Sequence, residues 1–176
     1  MSQHKSPLVV LVGPMGAGKT TVGELLAARW GVGVRDTDHD IEAAAAKSIS
    51  DIFVDDGEQH FRTLEVAAVA QALAEHEGVL SLGGGAVLAE QTRTALAGHR
   101  VVFLRVGLAE ATKRVGMGAA RPLLLGNVRA TLKKLLDERT PIYESIATHV
   151  IETDGRAAED VAAEIAAAVE REEPHG

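Results

Sequence analysis

The sequence contains no cysteine. This absence excludes disulfides, catalytic thiolates and cysteine-based zinc sites. No apolar run approaches the roughly 20 residues that a membrane-spanning helix needs. The N-terminal segment also lacks an apolar stretch long enough for a signal peptide. We therefore expect a cytoplasmic protein with no membrane partner.

Positive charge is also scarce, since 18 Lys and Arg residues face 25 Asp and Glu residues and the net charge is -7. Nucleic-acid-binding domains usually carry a basic face. The densest basic stretch here, "TLKKLLDER", contains its own acids. We therefore expect no nucleic-acid partner. The 176 residues, 46% of them hydrophobic, suit one globular domain spanning 1–176.

Short apolar runs alternate with segments of helical periodicity. Strands are predicted at 8–12, 32–35, 79–82, 100–106 and 149–153. Helices are predicted at 19–30, 41–46, 59–76, 91–97, 108–115, 128–138 and 157–170, with a serine N-cap in "SISDIF" and a break or kink at Pro141. Because the strands are apolar throughout, the pattern indicates an α/β fold with a parallel sheet covered by helices on both faces.

The stretch "GPMGAGKT" at 13–20 lies between the first predicted strand and the first predicted helix. It matches G-x-x-x-x-G-K-[ST], a loop whose backbone N–H groups cradle phosphates. In such a loop Lys19 can reach the β- and γ-phosphates of a nucleotide, and the Thr20 hydroxyl can bind Mg²⁺. The alternative interpretation is a glycine-rich turn that binds no ligand.

Two acids, Asp36 and Asp38, follow the second predicted strand, with Thr37 between them. Alternate residues of an extended segment point the same way, so both carboxylates could face the phosphates. One could help to hold Mg²⁺ while the other meets an acceptor hydroxyl. The alternative is that the pair caps the next helix.

Two of the three phenylalanines, Phe53 and Phe61, lie close to Arg62 and Glu65 in the sequence. An aromatic wall beside a guanidinium suits a small molecule with an apolar ring and a carboxylate, since arginine binds carboxylates bidentately. Core phenylalanines and a surface Arg–Glu pair are the competing interpretation.

Three further features could complete a ligand site. The "GGG" at 83–85 allows close approach of the backbone to a ligand, or forms a tight turn. The aperiodic segment 116–127 is predicted to be a mobile lid that carries Arg121. Arg139 is a cation near the predicted helix break at Pro141.

Taken together and in order, "GPMGAGKTT", "DTD", "DIFVDDGEQHFRTLE", "LSLGGGAV", "RPLL" and "ERTPIYE" resemble the shikimate kinase family. The resemblance implies a three-layer P-loop kinase fold with a five-stranded parallel sheet, a substrate-binding region at about 36–65 and a closing lid at about 116–127. It implies transfer of the γ-phosphoryl group of ATP to the 3-hydroxyl of shikimate, with Mg²⁺ as cofactor, on the route to chorismate and the aromatic amino acids. We also expect a monomer.

The resemblance implies a role for each matching residue. The expected nucleotide contacts are Gly16, Ala17, Gly18, Lys19, Thr20, Thr21, Arg114, Arg121 and Arg156. The expected metal contacts are Thr20 and Asp36, and the expected shikimate contacts are Asp38, Arg62, Gly84 and Arg139. Phe53, Phe61 and Glu65 complete the predicted substrate site, and Lys19, Asp38 and Arg121 are the expected catalytic residues.

Two other functions remain open. A different small-molecule kinase, such as a gluconate kinase, would share the glycine loop without needing the two arginines, "DTD" and "GGG" together. A regulatory module that only binds a nucleotide would leave Arg62 and Arg139 without a ligand. A GTPase is disfavoured because the chain has no N-K-x-D guanine-reading motif.

Overall fold

The computed structural model describes residues 5–117 and 127–172, except for the side chains of 116 and 117. Strands and helices alternate along the chain, as predicted. The strands are β1 (Val9–Val12), β2 (Val34–Asp36), β3 (Val79–Ser81), β4 (Val101–Arg105) and β5 (His149–Glu152). The helices are α1 (Lys19–Trp30), α2 (Thr37–Ala45), α3 (Ile49–Asp56), α4 (Glu58–Glu75), α5 (Glu90–Leu96), α6 (Leu108–Met117), α7 (Val128–Ile146) and α8 (Ala158–Glu172), with a 3-10 turn at Ala86–Leu88.

The five strands form one parallel sheet in the order β2-β3-β1-β4-β5. On the central strand β1, Val9 and Leu11 pack into one apolar layer with residues of α1 and α8. Val10 and Val12 pack into a second layer, on the other side, with residues of α4. Because successive strand residues face opposite sides, an apolar run here requires helices on both faces. The predicted three-layer fold with a five-stranded parallel sheet is confirmed.

The sheet order places a site at the carboxyl end of β1. From β1 the chain proceeds to β2 and β3 on one side, then crosses to β4 and β5 on the other. In open parallel sheets ligands bind at the carboxyl ends of the strands where this order reverses. The glycine loop leaves β1 at this point.

Helices α2, α3 and α4 form a small unit beside the sheet edge. They pack around the buried side chains of Ile41, Ile52 and Phe61. Helix α3 begins after Ser48, whose hydroxyl accepts the N–H of Asp51 at 3.1 Å, so the predicted serine cap is confirmed. This unit extends from the end of β2 and holds most of the predicted substrate residues.

Helix α7 continues through Pro141 to Ile146. Of the predicted break or kink at Pro141, the break is therefore wrong. Proline removes one hydrogen bond, here to the carbonyl of Asp137, and usually costs about 3 kcal/mol in a helix interior. Asp137 and Pro141 both lie on the exposed side, where water can satisfy the carbonyl. On the opposite face of the helix, Leu132 before Pro141 and Tyr143 after it are both buried. Because residues before and after the proline are held in the core, the helix stays continuous.

The predicted lid at 116–127 falls largely outside the described residues. Its first two positions belong to α6, which extends to Met117 instead of ending at 115. Its last residue, Asn127, caps α7 by accepting the N–H of Ala130 at 3.1 Å. In 5–117 and 127–172, no helix is both long and apolar enough to cross a membrane.

Candidate active site

The glycine loop has a backbone that requires glycine. Gly13 has a φ of 152°, and a Cβ at this position would lie 2.8 Å from the carbonyl oxygen of Leu104. Gly18 adopts a left-handed φ of 94° immediately before α1. Lys19 Nζ donates to the carbonyl oxygens of Gly13 and Pro14 at 2.6 and 3.1 Å. The ammonium group is therefore held against the loop itself.

The first turn of α1 is suited to an anion. Among the described residues, no side chain caps this end of the helix, so its N–H groups and helix dipole can serve a phosphate. Thr20 and Thr21 are exposed in this turn. Ala17 is 2% exposed, so it can offer its backbone but not its side chain to a ligand.

Asp36 and Asp38 lie at the junction between β2 and α2 rather than along one extended strand. β2 ends at Asp36, and Thr37 already belongs to α2, so the expected alternation of an extended segment is wrong. Asp36 Oδ1 accepts the N–H of Asp38 at 2.8 Å and caps α2. Asp38 lies in the first turn of that helix, half-buried. The capping alternative is therefore correct for Asp36, while Asp38 is available to a ligand.

The environment of Asp38 favours its protonated form more than water does. Burial, followed by the charge of Asp36, raises the pKa of the Asp38 carboxyl, and Lys19 opposes the rise. Asp38 and Lys19 therefore interact electrostatically. The buried Thr37 fastens the start of α2 to the sheet, since its Oγ1 accepts the N–H of Gly83 at 3.3 Å.

The "GGG" turn at 83–85 brings the remaining predicted groups together. A Cβ on its first glycine would lie 2.5 Å from Asp38 Oδ1, and a Cβ on its second would lie 3.5 Å from Arg139 Nη1. A Cβ on its third would lie 2.4 Å from Arg62 Nη1. The turn is tight, as its alternative interpretation required, and it also allows three charged side chains to approach the backbone. One carboxylate and two guanidinium groups thus converge at the end of β3.

An aromatic pair lies beside this cluster. The rings of Phe53 and Phe61 are 4.8 Å apart between centroids. The guanidinium of Arg62 lies 5.3 Å from the centroid of the Phe61 ring, a cation–π geometry. Phe61 is buried in the core of the α2–α4 unit, as the competing interpretation proposed, while Phe53 is half-buried.

The Arg62–Glu65 pair is not a surface pair. Arg62 Nη1 and Glu65 Oε1 are 2.8 Å apart, and the Glu65 side chain is only 3% exposed. Burial raises the pKa of the Glu65 carboxyl, and Arg62 opposes the rise, with Arg139 adding to the opposition. Both guanidinium groups therefore lie near one buried carboxylate, which can hold them in place for an anionic ligand.

Of the predicted adenine contacts, Arg114 reaches the glycine loop and Arg156 does not. Arg114 donates to the carbonyl oxygens of Gly16 and Thr153, each at 3.0 Å, and so joins the phosphate loop to the segment after β5. Arg156 donates to the carbonyl of Glu152 at 2.8 Å and pairs with a carboxylate of α8. Arg121 lies outside the described residues.

Oxygen ligands suited to Mg²⁺ are present. The Thr20 hydroxyl is exposed at the start of α1, and the carboxylates of Asp36 and Asp38 follow β2. No group of three or more His, Asp or Glu side chains in the described residues could hold a metal by itself. The site thus fits a cation that keeps several waters and is bound mainly through phosphates, as Mg²⁺ commonly is.

The sequence interpretation assigned no role to Tyr143. Its hydroxyl donates to the carbonyl oxygen of Gly84 at 2.5 Å. Tyr143 is the only tyrosine of the chain and lies four residues after Arg139, a spacing that places two residues on one helix face. The expected break at Pro141 concealed this signal.

Comparison with known proteins identifies the relatives of this chain. The shikimate kinase family model matches residues 15–170. A shikimate kinase of Salinispora arenicola is 62% identical over 162 residues, which are 92% of this chain and 97% of the relative. A shikimate kinase of Thermobifida fusca is 61% identical over 160 residues, which are 91% of this chain and 93% of the relative. The solved structure of a shikimate kinase from Acinetobacter baumannii in complex with shikimate matches with a TM-score of 0.89 and 35% identity, covering 97% of this chain and 96% of that one.

Proposed function

The chain belongs to the shikimate kinase family, and from this premise we propose how its residues carry out the reaction of that family. The protein is an ATP-dependent kinase that transfers the γ-phosphoryl group of ATP to the 3-hydroxyl of shikimate, giving shikimate 3-phosphate and ADP. Such a transfer needs little covalent chemistry from the protein and depends on positioning and charge neutralisation.

The nucleotide phosphates bind in the glycine loop. The uncapped first turn of α1 and the backbone from Gly16 to Thr21 supply N–H groups to the phosphate oxygens. Lys19 leaves the loop carbonyls that it now contacts and neutralises charge on the β- and γ-phosphates. Arg114, already joined to Gly16, lies on the adenine side. From the family resemblance, we assign Arg121 and the lid to contacts with the transferred phosphoryl group.

Shikimate binds between the "GGG" turn and the α2–α4 unit. Arg62 and Arg139 bind its carboxylate, since both guanidinium groups lie at the turn and near the same buried Glu65. Phe53 contacts the apolar side of the ring, and the backbone of Gly84 contacts the substrate directly.

Asp38 orients the acceptor hydroxyl. Its carboxylate lies at the first glycine of the turn and interacts with the charge of Lys19, so it is near the phosphate loop as well as the turn that Arg62 and Arg139 approach. As the bond from the γ-phosphorus to its leaving oxygen breaks, the 3-hydroxyl oxygen forms the new bond and Asp38 accepts the proton. The raised pKa of Asp38 makes it a better base than an exposed aspartate.

Mg²⁺ is the cation that the oxygen ligands fit. Thr20 and Asp36 are the residues that would hold it, Thr20 through its hydroxyl and Asp36 through water, while Asp36 continues to cap α2. When bound, the ion would neutralise charge on the phosphate oxygens.

The observation that carries the proposal is the convergence of Asp38, Arg139 and Arg62 on three consecutive glycines. Gluconate also carries a carboxylate, so the arginine pair by itself does not exclude a gluconate kinase. The preference for shikimate rests on the relatives, which are shikimate kinases. A regulatory module that only binds a nucleotide has no use for an acceptor carboxylate site beside its phosphate loop.

A coupled assay of ADP release with shikimate, gluconate or no acceptor tests the function. We expect rapid turnover with shikimate alone. Arg62→Ala and Arg139→Ala should each lower kcat/KM for shikimate by roughly 10- to 150-fold, since a hydrogen bond to a charged group contributes about 1.5–3 kcal/mol. Arg→Lys should restore only part of the loss, because an ammonium cannot reproduce the bidentate fork.

Arg29→Ala is a matched control, since Arg29 also pairs with a glutamate, Glu170, at 3.0 Å but on the exposed contact between α1 and α8. This variant should keep the wild-type kcat/KM. Loss of ATP affinity with an unchanged shikimate KM in the Arg62 and Arg139 variants would place both arginines on the nucleotide side and contradict the proposal.

A further inference from the structure

Tyr143 lies fully buried behind the "GGG" turn. Its ring packs against Phe103 of β4, with centroids 4.9 Å apart and an interplanar angle of 31°. Its hydroxyl donates to the carbonyl oxygen of Gly84 at 2.5 Å. The ring alone would serve the core, whereas the hydroxyl contacts the segment that the proposed substrate touches.

The same glycine also lies against Arg139. A Cβ on Gly84 would be 3.5 Å from Arg139 Nη1. Arg139 and Tyr143 are one helical turn apart on α7, and the helix carries both to one face because it continues through Pro141. One face of α7 thus presents a guanidinium and a hydroxyl to one glycine.

The hydrogen bond from Tyr143 constrains more than a single carbonyl. Because the peptide unit is planar and trans, holding the Gly84 oxygen also sets the direction of the Gly85 N–H, which points the opposite way. Three consecutive glycines have high conformational freedom. The bond from Tyr143 therefore adds to the backbone bonds that Gly83 and Gly85 accept from Ala86 and Leu88, each at 3.1 Å, in restricting the turn. Gly85 in turn lies against Arg62.

The phenol of Tyr143 is a hydrogen-bond donor at neutral pH. Burial raises the pKa of Tyr143 to about 12, and Arg139 opposes the rise through its charge and through a hydrogen bond to the phenol. The hydroxyl therefore keeps its proton at neutral pH and can donate to Gly84 there.

We propose that Tyr143 is a positioning residue for the acceptor site: through the Gly84 carbonyl, its hydroxyl holds the 83–85 turn in the orientation that lets Arg62 and Arg139 bind one carboxylate together. This inference rests on the proposed function, since it assigns those arginines to the carboxylate of shikimate.

Tyr143→Phe tests the role, because it removes the hydroxyl and keeps the ring against Phe103. We expect the KM and the calorimetric dissociation constant for shikimate to rise by roughly 2- to 12-fold, the range for one net hydrogen bond. The KM for ATP should stay within about twofold of the wild-type value, because the glycine loop is untouched. The KM and the dissociation constant should be measured at a temperature well below the unfolding temperature of each variant.

Two control variants separate positioning from stability. Ser145→Ala removes another hydroxyl of α7 that donates to a backbone carbonyl, that of Ile142 at 2.7 Å, but on the exposed side. Phe103→Leu weakens the packing of the Tyr143 ring and keeps the hydroxyl. Both should keep the wild-type KM for shikimate, although Phe103→Leu lowers the unfolding temperature.

A double-mutant cycle with Arg139→Ala completes the test. If Tyr143 acts through the arginine site, Tyr143→Phe should raise the shikimate KM by a smaller factor once Arg139 is gone than it does in the wild type, since only Arg62 then remains to be positioned. An unchanged KM in the single variant, an equal rise in Phe103→Leu, fully additive effects, or a Tyr143→Phe chain that does not fold would each overturn the inference. A wild-type enzyme that does not phosphorylate shikimate would instead refute the proposed function, and this inference with it.

Discussion

Gly85→Ala offers a sharp test of the acceptor site, because it moves a binding residue without mutating it. Gly85 has a φ of -97° and a ψ of 1°, which alanine can adopt. The added Cβ, however, would lie 2.4 Å from Nη1, 2.7 Å from Nη2 and 2.8 Å from Cζ of Arg62. All three atoms belong to the guanidinium, which is the flexible end of its side chain. The arginine must therefore move while the turn stays in place.

The size of the effect follows from these distances. Ordinary contact with a Cβ begins at 3.4 Å, so the guanidinium must retreat by about 1 Å, a displacement that can cost about 100-fold in rate. Loss of one charged hydrogen bond, about 1.5–3 kcal/mol, corresponds to roughly 10- to 150-fold. We expect kcat/KM for shikimate to fall within that range. Glu65 also loses its partner at 2.8 Å, so the unfolding temperature should fall as well.

The assay is ADP release with shikimate varied at saturating ATP, and then with ATP varied at saturating shikimate. Gly23→Ala is the control for the glycine-to-alanine change, since its Cβ would meet its nearest atom, Leu11 Cδ1, at an ordinary 3.5 Å. It should keep wild-type kinetics and gain roughly 0.5–1 kcal/mol, because Gly23 lies inside α1. In an Arg62→Ala background, Gly85→Ala should cost almost nothing further.

Two results would refute the reasoning. Wild-type kcat/KM in Gly85→Ala would mean that the position of Arg62 is unimportant for the acceptor. A full additional loss in the Arg62→Ala background would mean that the methyl group acts on something else, such as the glycine backbone.

Three further predictions concern single side chains. Lys19→Ala should abolish turnover while the fold persists, because its ammonium lies at loop carbonyls, where a phosphate would bind, rather than in the apolar core. Turnover with ATP tests the first half of this prediction and far-ultraviolet dichroism the second, and an active variant would remove the glycine loop from the mechanism. Asp38→Asn should lower kcat by at least about 100-fold yet raise the unfolding temperature at neutral pH, since burial and Asp36 raise the pKa of Asp38 in the folded state. A carboxyl with a raised folded pKa stabilises the fold fully below its unfolded pKa of about 3.9 and loses that contribution as pH rises through the folded value. In thermal melts from pH 3 upward, the unfolding temperature of the variant should therefore rise relative to that of the wild type. A difference in unfolding temperature that shrinks as pH rises would contradict this. Thr92→Val should stabilise the protein by about 0.5–1.5 kcal/mol, or roughly 2–4 °C per kcal/mol, because Thr92 Oγ1 is buried without a hydrogen-bond partner in the described residues; a lower melting temperature would reveal a partner for that hydroxyl.

Helices and strands were predictable where the cause was local. The apolar run before Gly13 and the glycine loop after it specify a buried strand and a helix start, and Ser48 specifies the cap of α3. The failure at Pro141 has a tertiary cause. Leu132, which precedes Pro141, and Tyr143, which follows it, are both buried. This burial outweighs the cost of about 3 kcal/mol that proline usually carries in a helix interior.

The arrangement of Asp36 and Asp38 shows the same division within the site. The motif itself placed two acids after a strand, which was enough to suggest a metal and an acceptor. It offered capping by the pair as an alternative, but it did not reveal which acid caps α2 or that Asp38 lies at the first glycine of the turn. The boundary between strand and helix depends on how Thr37 packs against the sheet.

By itself, the sequence determined the fold class, the phosphate loop and the set of residues that resemble one kinase family, since these depend on spacing along the chain. Only the tertiary structure decided the strand order β2-β3-β1-β4-β5 and the meeting of Asp38, Arg62 and Arg139 at one glycine turn. Those contacts join segments far apart in the chain, and their formation depends on burying apolar surface on both faces of β1 at once. The hydroxyl of Tyr143 belongs to the same class: its partner is 59 residues away, and no local pattern predicts that bond.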